Sequence, residues 1–158
     1  MSAALIIGVG NPYRRDDGVG IAAIERLREA GLTAADLVEE SGEPVALVLR
    51  WTGHETVTLV DAVDSGSPAG TLHRFECIGG HWDATPQSRA VSTHGLGIAD
   101  AVELGRVLDR LPAHLFVFGI EVETVADGVG LSPPVASALD TLVAELAGRP
   151  AGAAEVGL

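Results

Sequence analysis

Two adjacent aspartates near the start of the chain, Asp16 and Asp17, are the residues best placed by sequence to do chemistry. They follow a glycine-rich turn, Gly8–Asn11, that comes directly after an apolar run. A stretch with helical spacing of apolar residues begins at Gly20. Carboxylates at the point where a strand gives way to a helix can bind a metal ion or act on a substrate. This segment therefore predicts a functional site at the carboxyl end of the first strand.

Two further residues are predicted to face the same edge of the sheet. Asp61 lies near the end of a second apolar strand, and His94 immediately precedes a predicted helix. Because ligands of open α/β sheets bind beyond the carboxyl ends of the strands, Asp17, Asp61 and His94 can face one cleft. Two carboxylate oxygens and one imidazole nitrogen suit a divalent transition metal. Three protein ligands also leave coordination positions open for a substrate.

Each of these three residues also has a purely structural explanation. Asp17 could be the N-cap of the first helix, a role that aspartate fills well. Asp61 could be a strand-end residue bonded to backbone amides, although a buried carboxylate needs some partner. His94 could be a helix-start histidine with no ligand role. The prediction of a metal site therefore depends on the convergence of all three.

Two other chemistries are less well supported by the sequence. The glycines of the first turn resemble the start of a dinucleotide-binding fingerprint, but Tyr13 stands where the third glycine would fall. The acidic pair would also repel a pyrophosphate. Cys77, the only cysteine, could be a nucleophile with His94 as its base, yet nothing near it in sequence would lower the thiol pKa. A buried free cysteine is the expected role of Cys77.

Alternating strands and helices are predicted to position these residues. The strongest strands are apolar throughout, which is typical of strands covered on both faces. The predicted fold is an α/β three-layer sandwich, with a twisted, mostly parallel sheet of about five strands between helix layers. The predicted strands are Ala3–Val9, Leu37–Glu40, Thr56–Val63, Thr71–Glu76 and Leu115–Val122. The predicted helices are Gly20–Ala30, Pro44–Trp51, Gly95–Leu108, capped by Ser92 or Thr93, and a last helix that starts at Ser132-Pro133. Residues 77–93 are predicted to be mostly loop.

Size and composition indicate one globular domain. The chain has 158 residues, of which 47% are hydrophobic and 20% charged. We predict a domain over residues 1–148 and a flexible tail, rich in Ala, Gly and Pro, over residues 149–158. The net charge of −12 disfavours nucleic acid and anionic membrane surfaces as partners. A single cysteine, no secretory signal and no apolar run of membrane-spanning length together predict a cytoplasmic location.

Taken in order, the motifs of this chain resemble those of the [NiFe]-hydrogenase maturation proteases. The resemblance extends from about residue 4 to residue 147, and the first block and the His94 block together are quite specific. The motifs are Gly8–Asn11, Asp16-Asp17-Gly18-x-Gly20, Val60-Asp61-Ala62, His94-Gly95-Leu96-Gly97 with Ala99-Asp100, Gly119-Ile120-Glu121 and Gly130–Val135. In one departure, the chain has Glu40–Pro44 where many members carry a D-G-G-T-like segment, but Gly42 is retained.

The resemblance implies a function as well as a fold with a twisted sheet between helix layers. It implies an endopeptidase that removes a C-terminal extension from the large-subunit precursor of a [NiFe]-hydrogenase after nickel insertion. Nickel is then the recognition element, supplied by the precursor rather than permanently bound. The family's metal-contacting residues fall on Asp17, Asp61 and His94, whose individual catalytic roles stay open. The resemblance also implies that Gly42 contacts the substrate.

Two alternatives are compatible with the same residues. The chain could be a metal-dependent factor that binds the nickel-loaded precursor without cutting it, because the same three side chains would serve both roles. It could also be a nucleotide-binding α/β module, which would require measurable binding of an adenine nucleotide. For both the endopeptidase and the non-cleaving binding factor, the expected partner is the large-subunit precursor, and neither nucleic acid nor a membrane is expected to be involved.

Overall fold

The structure, a computed structural model, describes residues 4–79, 81–82, 91–92 and 97–148. The strands are β1 (Ala4–Val9), β2 (Ala35–Glu40), β3 (Thr56–Asp64), β4 (Leu72–Ile78), β5 (His81–Trp82), β6 (Val91–Ser92) and β7 (His114–Glu121). The helices are α1 (Val19–Glu29), α2 (Pro44–Trp51), α3 (Ile98–Val107) and α4 (Pro133–Ala147). A short 3₁₀ helix, Arg15–Gly18, precedes α1. No helix in this described part of the chain combines the length and the apolar character needed to cross a bilayer.

One sheet forms the middle of the molecule, in the order β2-β1-β3-β7-β4-β5. The first four strands run parallel, whereas β4 is antiparallel to β7 and β5 is antiparallel to β4. The two-residue strand β6 pairs with the end of β3 in the antiparallel sense. The prediction of a twisted, mostly parallel sheet with about five main strands is therefore confirmed.

Helices cover both faces of the sheet and create two separate apolar cores. On one face α1 and α4 pack against the even-numbered residues of β3 and β7, for example Val60 and Phe116. On the other face α2 and α3 pack against the odd-numbered residues, for example Leu59 and Leu115. Burial on both faces explains why these strands are apolar at successive positions instead of alternating. The predicted three-layer α/β sandwich is confirmed.

The first turn uses its glycines for close packing of α1 on the sheet. A Cβ atom on Gly8 would overlap the carbonyl oxygen of Gly20, and a Cβ on Gly20 would overlap the carbonyl oxygens of Val9 and Val60. The start of α1 therefore lies directly on β1 and β3 with only backbone between them. This close approach fixes the position of the turn that carries the acidic pair.

The structure corrects several predicted boundaries. The residue that caps α3 is Gly97, without a side-chain hydrogen bond, so the predicted caps Ser92 and Thr93 are wrong. Ser92 instead ends β6, and Thr93 lies outside the described residues. The segment predicted as loop over residues 77–93 contains the end of β4 together with β5 and β6. The predicted tail, residues 149–158, also lies outside the described residues, and the single domain over 1–148 stays a prediction.

Candidate functional site

The topology creates a switch point between β1 and β3. From β1 the chain crosses to β2, which lies on one side of β1, and the next crossover leads to β3, which lies on the other side of β1. Connections that leave in opposite directions open a crevice at the carboxyl ends of the two strands, where α/β proteins bind ligands. Asp17 follows β1 and Asp61 lies within β3, so both predicted carboxylates flank this crevice.

Asp17 is completely buried in the 3₁₀ turn that packs against β3. Its backbone is held on both sides, because its amide donates to Arg14 O at 3.1 Å and its carbonyl accepts from Asn11 N at 3.2 Å. The guanidinium of Arg14 lies 3.8 Å from one carboxylate oxygen. The residue that caps α1 is Gly18, without a side-chain hydrogen bond. The alternative explanation of Asp17 as the helix N-cap is therefore wrong.

Asp61 is 2% exposed and continues the odd-numbered face of β3, on the side of α2 and α3. One carboxylate oxygen accepts a hydrogen bond from Ala62 N at 2.8 Å. The residue opposite Asp61 on β7 is Gly119, which contributes no side chain to this face. Burial of two aspartate charges at one crevice costs free energy unless hydrogen bonds or cations compensate them. Carboxylate oxygens in such a position are suitable ligands for a divalent cation.

The third predicted ligand, His94, lies outside the described residues. Within residues 4–79, 81–82, 91–92 and 97–148, no three histidine, cysteine, aspartate or glutamate side chains form a group that could hold a metal ion. The described part of the site therefore supplies two carboxylates. The assignment of His94 as the nitrogen ligand stays a prediction.

Gly42 lies at the same edge of the sheet, in the connection from β2 to α2. It is buried and has φ of +102°, a conformation that favours glycine. The residue after it, Glu43, caps α2 by accepting hydrogen bonds from Val45 N and Ala46 N. These observations explain why glycine and glutamate occur there, whereas substrate contact by Gly42 stays a prediction.

Asp16 has a different role from Asp17, which the sequence did not reveal. Its carboxylate accepts hydrogen bonds from Ser132 N at 2.7 Å, Ser132 Oγ at 2.8 Å, Glu123 N at 2.9 Å and Thr124 N at 3.1 Å. Burial raises the pKa of this carboxyl, but the four hydrogen bonds outweigh burial and hold the pKa below its ordinary value. Asp16 thus joins the first turn to the connection between β7 and α4. Ser132 precedes α4 as predicted, but its hydroxyl serves Asp16 instead of capping the helix.

A second buried polar cluster lies at the carboxyl end of β7. Glu121, 1% exposed, accepts from Ser65 Oγ at 2.6 Å, Ser65 N at 2.8 Å and His73 Nε2 at 3.0 Å. Burial raises the pKa of Glu121, and the hydrogen bonds from Ser65 and His73 reverse that effect and lower it. No sequence pattern assigns a role to His73, because strand register alone brings it opposite Gly119 and close to Glu121.

Cys77 is completely buried in the core between the sheet and helices α2 and α3. Burial raises the pKa of its thiol, which disfavours the thiolate that a nucleophile needs. The prediction of a buried free cysteine is confirmed.

Comparison with known proteins decides the family. The family model described as hydrogenase maturation protease matches residues 21–149, which is most of the chain. The chain belongs to the hydrogenase maturation protease family. The resemblance stated from the motifs is therefore confirmed, and the chain is a member of a family of proteases.

Curated relatives of this family member include two with informative names. It is 28% identical over 137 residues to the hydrogenase expression/formation protein HupD of Thiocapsa roseopersicina, covering 83% of this chain and 60% of that protein. It is 23% identical over 141 residues to the hydrogenase 2 maturation protease of Escherichia coli K12, covering 86% of this chain and 83% of that protein. The chain thus spans about 60% of the length of the HupD protein that it matches.

Solved structures with the same fold cover nearly the whole chain. The [NiFe] hydrogenase maturation protease HybD from Thermococcus kodakarensis has a TM-score of 0.72 at 24% identity, covering 92% of this chain and 97% of HybD. The hydrogenase maturating endopeptidase HybD from E. coli has a TM-score of 0.74 at 22% identity, covering 95% of this chain and 96% of that protein. At these identities the likeness establishes the fold.

Proposed function

We propose that this chain is an endopeptidase that removes the C-terminal extension from the large-subunit precursor of a [NiFe]-hydrogenase after nickel has been inserted. Membership of the hydrogenase maturation protease family supports the reaction class. The observation that carries the assignment of the site is the pair of buried carboxylates, Asp17 and Asp61, at the switch point between β1 and β3. A reaction on this precursor is expected in the cytoplasm.

In this proposal nickel arrives as part of the substrate, already bound to the precursor. Asp17 and Asp61 supply carboxylate oxygens to it, and His94 supplies an imidazole nitrogen. A shared metal fixes the precursor relative to the cleft, so the scissile peptide bond is held in place and correct positioning supplies much of the rate. Nickel in that position can polarise the scissile carbonyl or activate water. The retained Gly42 would contact the extension from the β2 side of the crevice.

Substitution of the two carboxylates tests the proposal. Asp17→Asn and Asp61→Asn keep the size of each side chain but remove its charge, and we expect each to slow cleavage of the nickel-loaded precursor on the order of 100-fold or more. The measurement is the mass of the large subunit after incubation with the protein. Asp64→Asn is the matched control, because Asp64 is an exposed aspartate at the end of β3, the strand that contains Asp61.

Three outcomes separate the hypotheses. Loss of a C-terminal peptide with the wild-type protein, and not with the folded Asp17 and Asp61 variants, supports the endopeptidase. Cleavage at the wild-type rate by both folded variants would show that the site is wrongly assigned. Binding of the nickel-loaded precursor without any change in its mass would identify a non-cleaving binding factor.

A further inference from the structure

The two connections beside the candidate site are joined into one unit by hydrogen bonds. Arg15 N donates to Gly128 O at 3.0 Å, and Gly128 N donates to Tyr13 O at 2.9 Å. The guanidinium of Arg15 also donates to Val129 O at 3.3 Å. The buried Asp16 carboxylate ties the other end of the first connection to residues 123–132. We call the surface part of this unit, Tyr13–Arg15 with Gly128 and Val129, the loop platform; Arg14 and Gly128 in it are half-buried.

The loop platform exposes two large apolar side chains in water. Tyr13 is 71% exposed and Val129 is 70% exposed, which makes them the two most exposed large hydrophobic side chains of the described residues. The hydrogen bond from Gly128 N to Tyr13 O joins the backbone of Tyr13 to the residue that precedes Val129. Tyrosine held on a rigid backbone is a typical anchor of protein interfaces, because little conformational entropy is lost on binding. The platform thus has the character of a contact surface.

The charge of the loop platform differs from that of the rest of the chain. The whole chain carries −12, but Arg14 and Arg15 form the only adjacent basic pair in the sequence and border Tyr13. The negative charge of Asp16 is buried and hydrogen-bonded inside the platform. The exposed Asp127 and the Asp17 carboxylate, which lies 3.8 Å from the Arg14 guanidinium, offset part of the arginine charge. An acidic partner surface is therefore repelled less at the platform than by the protein as a whole.

We propose that the loop platform is the docking surface for the folded body of the precursor, which meets it through an apolar patch bordered by acidic side chains. This inference rests on the proposed function. The platform leads directly into the site, because Asp17 belongs to the same 3₁₀ turn as Arg15. A precursor seated on Tyr13 and Val129 would bring its metal-bearing segment to the crevice beside Asp17.

Binding measurements on single variants of the full chain test the inference. Tyr13→Ser and Val129→Ser should each weaken binding of the nickel-loaded precursor about 10-fold or more, and added salt should weaken binding further. Cleavage at saturating precursor should stay near the wild-type rate, since neither side chain belongs to the catalytic site. Val107→Ser is the matched control, because Val107 is 69% exposed at the end of α3, near the opposite edge of the sheet. It should bind like the wild type.

The outcomes distinguish the docking surface from the proposed function. If the wild type binds and shortens the precursor and both folded platform variants bind it equally well, the docking surface is wrong and the function stands. If the variants instead change the oligomeric state and the loss of binding follows that change, the platform is a contact between copies of this chain. If the wild type neither binds nor shortens the precursor, the proposed function and the docking surface both fail.

Discussion

Asp16 and Asp17 are neighbours in sequence, and both are completely buried, but they serve different parts of the molecule. Successive side chains of a 3₁₀ turn point about 120° apart, so two adjacent carboxylates cannot face the same surroundings. Asp16 accepts four hydrogen bonds from the connection between β7 and α4, whereas Asp17 lies at the crevice beside Arg14. One carboxylate of the pair therefore positions the other.

Replacement of Asp16 tests this positioning role. Asp16→Asn places an amide group among backbone donors, so at least one hydrogen bond is lost and one donor faces another. We expect the free energy of unfolding to fall by about 1–3 kcal/mol, measured by urea denaturation. Asp36→Asn, at an exposed aspartate on β2, is the control and should change little. Identical denaturation midpoints for wild type and Asp16→Asn would contradict the role.

Glu121 makes a specific prediction about pH. Its pKa in the folded protein is below the ordinary glutamate value of about 4.3, because the hydrogen bonds from Ser65 and His73 outweigh burial. The carboxylate therefore contributes stability above the pKa of the unfolded chain, and that contribution is lost as the pH falls through the folded value. Glu121→Gln should be less stable than the wild type at neutral pH, and the difference should shrink in acid.

Denaturant unfolding at neutral pH and below about pH 4 measures the Glu121 effect. The matched control is Glu76→Gln, because Glu76 is exposed on β4, the strand that carries His73. A stability difference between Glu121→Gln and wild type that is the same at both pH values would show that the charge of Glu121 plays no part.

At the scale of elements, the contact between α1 and the sheet is the most constrained. A Cβ on Gly20 would overlap backbone atoms of Val9 and Val60, which cannot move aside as a flexible side chain can. Alanine normally stabilises a helix relative to glycine by about 1 kcal/mol. We expect the opposite for Gly20→Ala, a loss of about 2 kcal/mol or more, together with loss of cleavage because the turn that carries Asp17 must shift. A thermal or denaturant midpoint at or above that of the wild type would refute this.

The sequence predicted elements well where the signal is local. Continuous apolar runs identified β1, β3 and β7, and Pro44 and Pro133 marked the starts of α2 and α4. Pairings between distant segments were missed, because they have no local pattern. The two-residue strands β5 and β6 form by pairing with β4 and β3, respectively.

In the candidate site, Asp17 and Asp61 could be predicted because each lies near the end of a strand that the sequence identifies. The hydrogen bonds of Asp16 and the pair of His73 with Glu121 could not be predicted, because they depend on tertiary structure alone.

At the scale of the whole molecule, a strong negative charge is combined with one hydrogen-bonded platform beside the crevice that carries two exposed apolar side chains and two adjacent arginines. Excess negative charge keeps copies of a protein apart, and it discourages contact with acidic surfaces less strongly where arginines offset the charge locally. A protein with this distribution is suited to one orientation of approach. Both the proposed reaction and the docking inference require such an orientation, because one peptide bond must reach one crevice.

The bonds that Asp16 makes also set the order in which a newly synthesised molecule becomes complete. All of its partners, Glu123, Thr124 and Ser132, leave the ribosome more than a hundred residues after Asp16 itself. Translation delivers both crevice aspartates before these partners, so the turn that holds Asp17 stays without its brace until residues 123–132 have also emerged. A nascent molecule of this design acquires a finished crevice only after the segment that follows β7 has been synthesised.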